Sequence, residues 1–300
     1  MGDTVSDHGM QDPPAGGASF GRAGRNLPAA IAVGVTLIVV LMASLFFLQW
    51  AFALLVGAAL ALGAVELSQA LRKIGMHAAT VPIVLGTIVI VTGSYFAGLV
   101  DNNLMHLPAN TLMLMCLGLT VLTSLIWRMP GGSEGYVRDA AASLFIIGYV
   151  PLLGAFAGLM LAGALGPLRV LTFIAVIVAS DTGGYAAGVL FGRHQMAPRI
   201  SPKKTWEGFA GSLVCGTLVA TALAVLLLGV PFWVGLILGV ALVVTGACGD
   251  LIESLIKRDV GIKDMSSFLP GHGGVMDRLD SLLVAAPIAW LVMYLFVPGG

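Results

Sequence analysis

Two stretches of the 300-residue chain gather carboxylates, cations and glycines in a way that suits phosphoryl transfer. One is GDLIESLIKRDVGIKDMSSFLPGHGGVMDRLDS, residues 249–281. It holds Asp250, Lys257, Arg258, Lys263, Asp277, Arg278 and Asp280, with Pro270-Gly271-His272-Gly273-Gly274 just ahead of a renewed apolar run. Glycines before a helix allow close backbone approach, and the exposed N–H groups of a first helical turn attract anions, phosphate above all. Asp277 and Asp280 are three residues apart and therefore share a helical face. Asp250 and Asp277 flank a basic loop able to hold several phosphate oxygens. Oxygen-only ligands beside phosphates favour Mg2+, which keeps waters and binds through one or two carboxylates. The plainer alternative is an ordinary loop followed by an acidic helix start that the macrodipole favours.

The other stretch is SDTGGYAAGVLFGRHQMAPRISPKKTWEG, residues 180–208. Asp181 falls about thirteen residues into an apolar run, or ~20 Å at 1.5 Å per residue. Ser180, Thr182, Gly183 and Gly184 around it point to a tightly packed or irregular helix lining a polar cavity. Arg193, Arg199, Lys203 and Lys204 follow, with Ser201 and Thr205 as neutral donors. Such a loop matches a polyphosphate and an anionic lipid headgroup equally well, and it also matches charge that only sets topology.

The elements that carry these residues must lie in a membrane. The chain is 58% hydrophobic and 10% charged, against roughly 45–50% and about 25% in soluble domains. A helix needs about 20 apolar residues to cross a bilayer. Nine runs qualify, at approximately 28–48, 50–69, 79–100, 109–127, 140–163, 168–190, 207–229, 231–252 and 277–297. The first two are barely separated but are read as two spans. The expected fold is thus all-α, a polytopic membrane helix bundle of about nine transmembrane helices, with the amino terminus inside and the carboxyl terminus outside. That orientation puts fourteen of the fifteen basic residues on the cytoplasmic face and leaves only Arg169 outside.

Residues 1–26 are polar, lack the marks of a signal peptide and are read as a disordered cytoplasmic tail. Residues 27–139 form the amino-terminal transmembrane helices, and 140–300 the catalytic ones with their cytoplasmic loops. Eight of the fifteen acidic residues lie beyond position 180, which marks the carboxyl-terminal half as the site-bearing one, because a charge within a span is costly unless it faces a cavity or a partner. Glu66, the single carboxylate within an amino-terminal span, is read as an interfacial residue that snorkels or pairs with Arg72. Past Asp250 the eighth run continues as an amphipathic helix: Leu251, Leu255 and Ile256 repeat at helical spacing, and Glu253, Lys257 and Arg258 take the rest. Cys116, Cys215 and Cys248 show no metal-ligand spacing and are read as small buried hydrophobes.

The run Ser254-Leu255-Ile256-Lys257-Arg258, then Lys263-Asp264, then His272 through Asp280, resembles the signature of the phosphatidate cytidylyltransferases, the CDP-diacylglycerol synthases. The block from Ser180-Asp181-Thr182-Gly183 to Ser201-Pro202-Lys203-Lys204-Thr205-Trp206-Glu207-Gly208 is similar to that family's other polar block. The likeness covers roughly residues 140–297. One departure is Gly184, where alanine is expected in many relatives, and it touches nothing catalytic. The resemblance implies that phosphatidic acid and CTP give CDP-diacylglycerol and pyrophosphate with Mg2+. It implies Asp250 and Asp277 as Mg2+ ligands, with Asp280 and Asp181 next in rank for a ligand, a second cation or an outer-shell role.

Lys257, Arg258, Lys263 and Arg278 would hold the triphosphate or the lipid phosphate, as would Lys203 and Lys204 from the opposite loop. Ser180, Asp181, Thr205, His272, Gly273 and Gly274 complete the substrate-binding set, with His272 as a phosphate donor. The expected partners are CTP, phosphatidic acid and the bilayer, with a homodimer plausible within the family and no nucleic acid. The expected location is a bacterial cytoplasmic (inner) membrane, with the site on its cytoplasmic side. Two rivals are a CTP-dependent lipid enzyme with another substrate, such as a polyprenol, and a secondary transporter with interrupted helices centred on Asp181. Against the transporter stand the absence of an internal repeat and the gathering of polar groups at one face.

Overall fold

Hydrocarbon offers no hydrogen bonds, so an apolar chain crossing it must satisfy every N–H and C=O internally, which leaves the helix as the economical choice. The computed structural model describes residues 27–99, 109–266 and 273–298. It is built almost entirely of helices: α1 (Leu27–Phe47), α2 (Gln49–Arg72), α3 (Thr80–Leu99), α4 (Ala109–Arg128), α5 (Tyr136–Tyr149), α6 (Pro151–Ala162), α7 (Gly166–Phe191), α8 (Trp206–Leu226), α9 (Phe232–Val260) and α10 (Met276–Phe296). Among the described residues seven helical stretches are long and apolar enough to cross a membrane, and two shorter apolar helices, Gly34–Phe47 and Thr80–Phe96, accompany them. The chain is an all-α polytopic membrane protein. Its outer surface is apolar, with Phe47, Leu190 and Leu226 all largely exposed. The tail expected over residues 1–26 and His272 both lie outside the described residues.

Contacts group the chain into two compact units, residues 1–39 and 40–300. The described part of the first is the leading portion of α1. The second holds all the remaining elements and the polar residues of interest. Its core joins Phe52, Met160, Phe173, Leu238, Leu242 and Met293 from five helices, and a second cluster packs Leu67, Ile146, Ile147 and Met276.

Three features differ from the sequence reading. The fifth apolar run is two helices, α5 and α6, that meet at Val150 and Pro151. Proline has no N–H to continue the ladder, and it opens α6 where a helix tolerates it best. The basic segment between α7 and α8 is a small antiparallel hairpin, β1 (Gln195–Ala197) with β2 (Ser201–Thr205), and not a plain loop. Cys116 and Cys215 are only half-buried and Cys248 is exposed, in keeping with a thiol's tolerance of an apolar surface. Arg169, the one basic residue assigned outside, is buried and donates to the carbonyls of Val297 (3.3 Å) and Pro298 (3.2 Å) beyond the end of α10.

Small residues set how closely the carboxyl-terminal helices pack. A Cβ at Gly183 of α7 would stand 2.5 Å from the Cys215 Cβ and 2.8 Å from the Gly211 carbonyl of α8. A Cβ at Gly249 of α9 would meet the Asp280 carbonyl of α10 at 2.5 Å. That contact is with backbone, so only glycine lets the two helices approach, and the approach brings Asp250 and Asp280 together. Gly249→Ala is expected to cost about 1–3 kcal/mol through overpacking, read as a lowered melting temperature in detergent. Gly93→Ala, where nothing lies within 4 Å of the added carbon, should leave the melting temperature at or above that of the wild type.

Candidate functional site

Four pieces of chain build one polar region: the later part of α7, the hairpin leading into α8, the end of α9 and the start of α10. Thr205 closes the hairpin and caps α8, accepting the Gly208 N–H at 3.1 Å. The cap aligns the hairpin with α8 and holds β2 where Lys203 and Lys204 can face α9. Lys204 forms an ion pair with Asp250. Arg258 on the last turn of α9 donates through Nε to the Ile200 carbonyl in the hairpin turn at 3.3 Å.

These contacts leave two openings. A cavity of about 450 Å³ is lined by Ser180, Asp181, Lys203, Lys204, Thr205 and Asp250, and by Tyr185, Val189 and Phe209 on its apolar side. A smaller cleft of about 210 Å³ lies between the hairpin turn and the end of α9, lined by Lys203, Lys257, Arg258 and Lys263. The two polar blocks of the sequence thus meet in space. The Ser180 carbonyl accepts from Ser212 Oγ of α8 at 2.7 Å, which locks the polar turn of α7 against its neighbour.

Between α9 and α10 the chain holds a three-membered ionic bridge. Lys257 Nζ donates to Glu253 Oε2 at 2.5 Å and to Asp277 Oδ1 at 2.9 Å. Asp277 Oδ2 accepts the N–H groups of Met265 (3.0 Å) and Gly274 (2.9 Å), so this carboxylate also ties the preceding loop to the first turn of α10. Asp280 Oδ1 accepts the Ser281 N–H at 2.7 Å. Its charge lies within electrostatic range of Asp250 and Asp181. Arg278 is exposed on the same first turn.

Glu66 does not snorkel and has no ion pair with Arg72 among the described residues; it is 5% exposed. From α2 its carboxylate accepts Ser266 Oγ (2.5 Å), the Val275 N–H (3.0 Å) and the Met276 N–H (2.8 Å). The helix start expected to cradle a phosphate therefore already holds two protein carboxylates. Glu66 and Asp277 accept the N–H groups that the sequence reading offered to an anion. Gly273, at φ +80°, turns the chain there, and a Cβ at Gly274 would fall 2.8 Å from Glu66 Oε2 and 3.0 Å from Asp277 Oδ2. Glycine is needed at that point because two carboxylates converge on its backbone.

Two carboxylates of this polar region were missed in sequence. Glu66 was judged by its proximity to Arg72, although the cost of a carboxylate in a span signals a buried partner set. Glu253 was placed on the solvated face of α9, yet it is 0% exposed while Ile252 and Leu255 face outward. The amphipathic assignment of that helix fails at Glu253, which the polar interior receives, and at Leu255, which is exposed, while Ile256 packs on the second core cluster and Arg258 stays exposed as that reading requires.

For a divalent cation the donor chemistry fits. The carboxylates are oxygen donors, and Asp250 and Asp277 each carry a lysine ammonium, from Lys204 and Lys257. A cation is already accommodated beside each one. Among the described residues no three His, Cys, Asp or Glu side chains converge on one point. Mg2+ does not require such a cage, since waters and substrate phosphates complete its shell.

Residues 28–296 match the profile described as the Cytidylyltransferase family. The chain is 43% identical to the phosphatidate cytidylyltransferase of Mycobacterium leprae (strain TN), over 91% of this chain and 89% of that one. It is 40% identical to the phosphatidate cytidylyltransferases of Mycobacterium bovis (strain ATCC BAA-935 / AF2122/97) and Mycobacterium tuberculosis (strain ATCC 25618 / H37Rv). Those matches cover 97% of this chain and 99% and 92% of the relatives.

Glu66→Ala strips three donors of their acceptor, at about 1–3 kcal/mol for each one left buried and unpaired. Hydrogen exchange at Val275 and Met276 should accelerate, and Glu66→Gln, which keeps one acceptor oxygen, should fall between Glu66→Ala and the wild type.

Proposed function

The chain belongs to the cytidylyltransferase family, and from that premise we propose that it joins CTP to phosphatidic acid, giving CDP-diacylglycerol and pyrophosphate for phospholipid synthesis. The observation that carries this reading is the meeting of Asp181, Lys204 and Asp250, from separate blocks of sequence, in one cavity whose other side is apolar. A substrate with an anionic head and an acyl body needs both surfaces.

A phosphate oxygen of the lipid attacks the α-phosphorus of CTP. The new P–O bond forms as the bond from the α-phosphorus to the oxygen bridging it to the β-phosphorus breaks, and that electron pair departs with pyrophosphate. The nucleophile is already an anion, so the protein's task is alignment and charge neutralisation more than proton removal. Lys203 and Lys204 reach in from β2, and Lys257, Arg258, Lys263 and Arg278 from the α9–α10 side. Ser180 and Thr205 offer hydroxyls, and His272 a further donor. Lys257 is held by Glu253 and Asp277, so its ammonium stays in one position instead of sampling solvent.

Members of the family generally use a divalent metal, and we take it here to be Mg2+. Asp250 and Asp277 would hold it, with Asp280 and Asp181 as further ligands or as the seat of a second cation. When bound it would neutralise charge building on the phosphates. Lys204 beside Asp250 and Lys257 beside Asp277 place ammonium groups next to the carboxylates that would hold the metal, where each can also meet a phosphate oxygen. We assign catalysis to residues 140–300, with Glu66 as the amino-terminal half's contribution to positioning. The protein is an integral membrane protein. We place the site on the cytoplasmic side of a bacterial inner membrane, with the amino terminus inside, the carboxyl terminus outside, and a homodimer as its assembly.

Pyrophosphate release by the purified protein should need CTP, phosphatidic acid and Mg2+ together, and should stop with EDTA. Asp277→Asn keeps the size and loses the charge, and turnover should fall by ~10²-fold or more while circular dichroism shows an unchanged helix content. A well-folded wild type that releases no pyrophosphate across several acyl chains and detergents would contradict the substrate assignment.

A further inference from the structure

The reaction brings two polyanions to one point, and the site offers two openings with different linings. We infer that the smaller cleft between the hairpin turn and the end of α9 seats the β- and γ-phosphates of the nucleotide, the pair that leaves as pyrophosphate, while the lipid phosphate uses the larger cavity. The inference rests on the cytidylyltransferase reading and adds to it a division of the site.

Size is the first argument. Pockets that enclose whole small ligands run to about 300–1,000 Å³. The cleft holds about 210 Å³ and so accepts part of a molecule, whereas the cavity of about 450 Å³ is within that range. Charge is the second. Four cations line the cleft, with the hydroxyls of Ser201 and Ser254 between them and Asp264 as its one carboxylate. Lys257 is engaged by Glu253 and Asp277. Lys203, Arg258 and Lys263 have no carboxylate within ion-pair distance among the described residues. In the larger cavity, by contrast, Lys204 is matched by Asp250. The unspent positive charge is concentrated in the cleft, as a group bearing several negative charges in a small volume demands.

Lining is the third argument. Tyr185 and Val189 of the cavity are 76% and 67% exposed on α7, which presents an apolar outer surface continuous with the cavity. An acyl-bearing substrate can enter there with its chains still in lipid. The cleft has Ile200 and Pro202 as its apolar residues and gives no comparable surface. Lys203 lines both openings. An in-line displacement keeps the attacking and leaving oxygens on opposite sides of the phosphorus, and a lipid phosphate in one opening with a diphosphate in the other meets that requirement across the wall that Lys203 occupies. The product then separates by solubility, the lipid remaining on the apolar side and pyrophosphate leaving through the cationic cleft.

The test uses the full chain in lipid nanodiscs with inorganic pyrophosphate as the probe. Lys263→Ala removes an exposed cation and should fold as the wild type does; Arg258→Ala is the second variant. Calorimetric titration should give a pyrophosphate dissociation constant raised about tenfold in either variant. Steady-state assays should show the KM for CTP and the inhibition constant of pyrophosphate rising together, with the KM for phosphatidic acid unchanged. Unaltered pyrophosphate binding in both variants, or a rise confined to the KM for phosphatidic acid, would overturn the inference. The titration needs no turnover, so the two readings part cleanly. A wild type that makes no CDP-diacylglycerol but loses pyrophosphate binding on Lys263→Ala keeps the cleft and refutes the activity. Turnover without pyrophosphate binding refutes the cleft and keeps the activity.

Discussion

Lys257 stands between Glu253 and Asp277 at the junction of α9 and α10, and the polar end of the bundle depends on that bridge. The three side chains are 17%, 1% and 11% exposed. Ions this far from water are expensive unless paired, and removing one partner from a buried pair costs about 3–5 kcal/mol, because the other is left uncompensated. The bridge therefore fixes which faces of α9 and α10 meet. Gly249 allows the same two helices to approach backbone to backbone. Glu66 secures the start of α10 from the amino-terminal half, and Arg258 carries the arrangement to the hairpin.

An enzyme acting on a membrane lipid and a soluble nucleotide has to solve a solvation problem before a chemical one. Its charged groups need water or partners, and its lipid substrate needs hydrocarbon. Clustering the carboxylates and lysines at helix ends, with Lys204 on Asp250 and Lys257 on Asp277, keeps the charges balanced while the site waits for substrate. The apolar side chains of Tyr185, Val189 and Phe209 continue the membrane's environment into the cavity.

Much of this was legible from sequence because the bilayer imposes a length on each helix and a price on each charge. The apolar runs mark the helices to within a few residues in most places, and Asp181, Lys203, Lys204 and Asp250 were singled out from residue type and position before they were seen to share a cavity. The fifth run hides its break because Pro151 follows an uninterrupted apolar stretch and only its missing N–H distinguishes it. The hairpin escapes because Gln195–Ala197 and Ser201–Thr205 are too short and too polar to show an alternating pattern. Glu66 and Glu253 escape for a different reason. Their partners are 200 or more residues away in the first instance, and in the second on the side of the helix that amphipathic reasoning assigns to solvent. Local spacing does not register either relation.

The chemistry proposed for the site turns on which phosphorus is attacked. The measurement is to supply the purified protein and phosphatidic acid with CTP labelled at the α-phosphate in one reaction and at the γ-phosphate in another, then to separate lipid from water. The α-label should appear in the organic phase as CDP-diacylglycerol, and the γ-label should remain in water as pyrophosphate. Recovery of the γ-label in the lipid would mean that the protein transfers the terminal phosphate as a kinase does, and would contradict the assignment of the site.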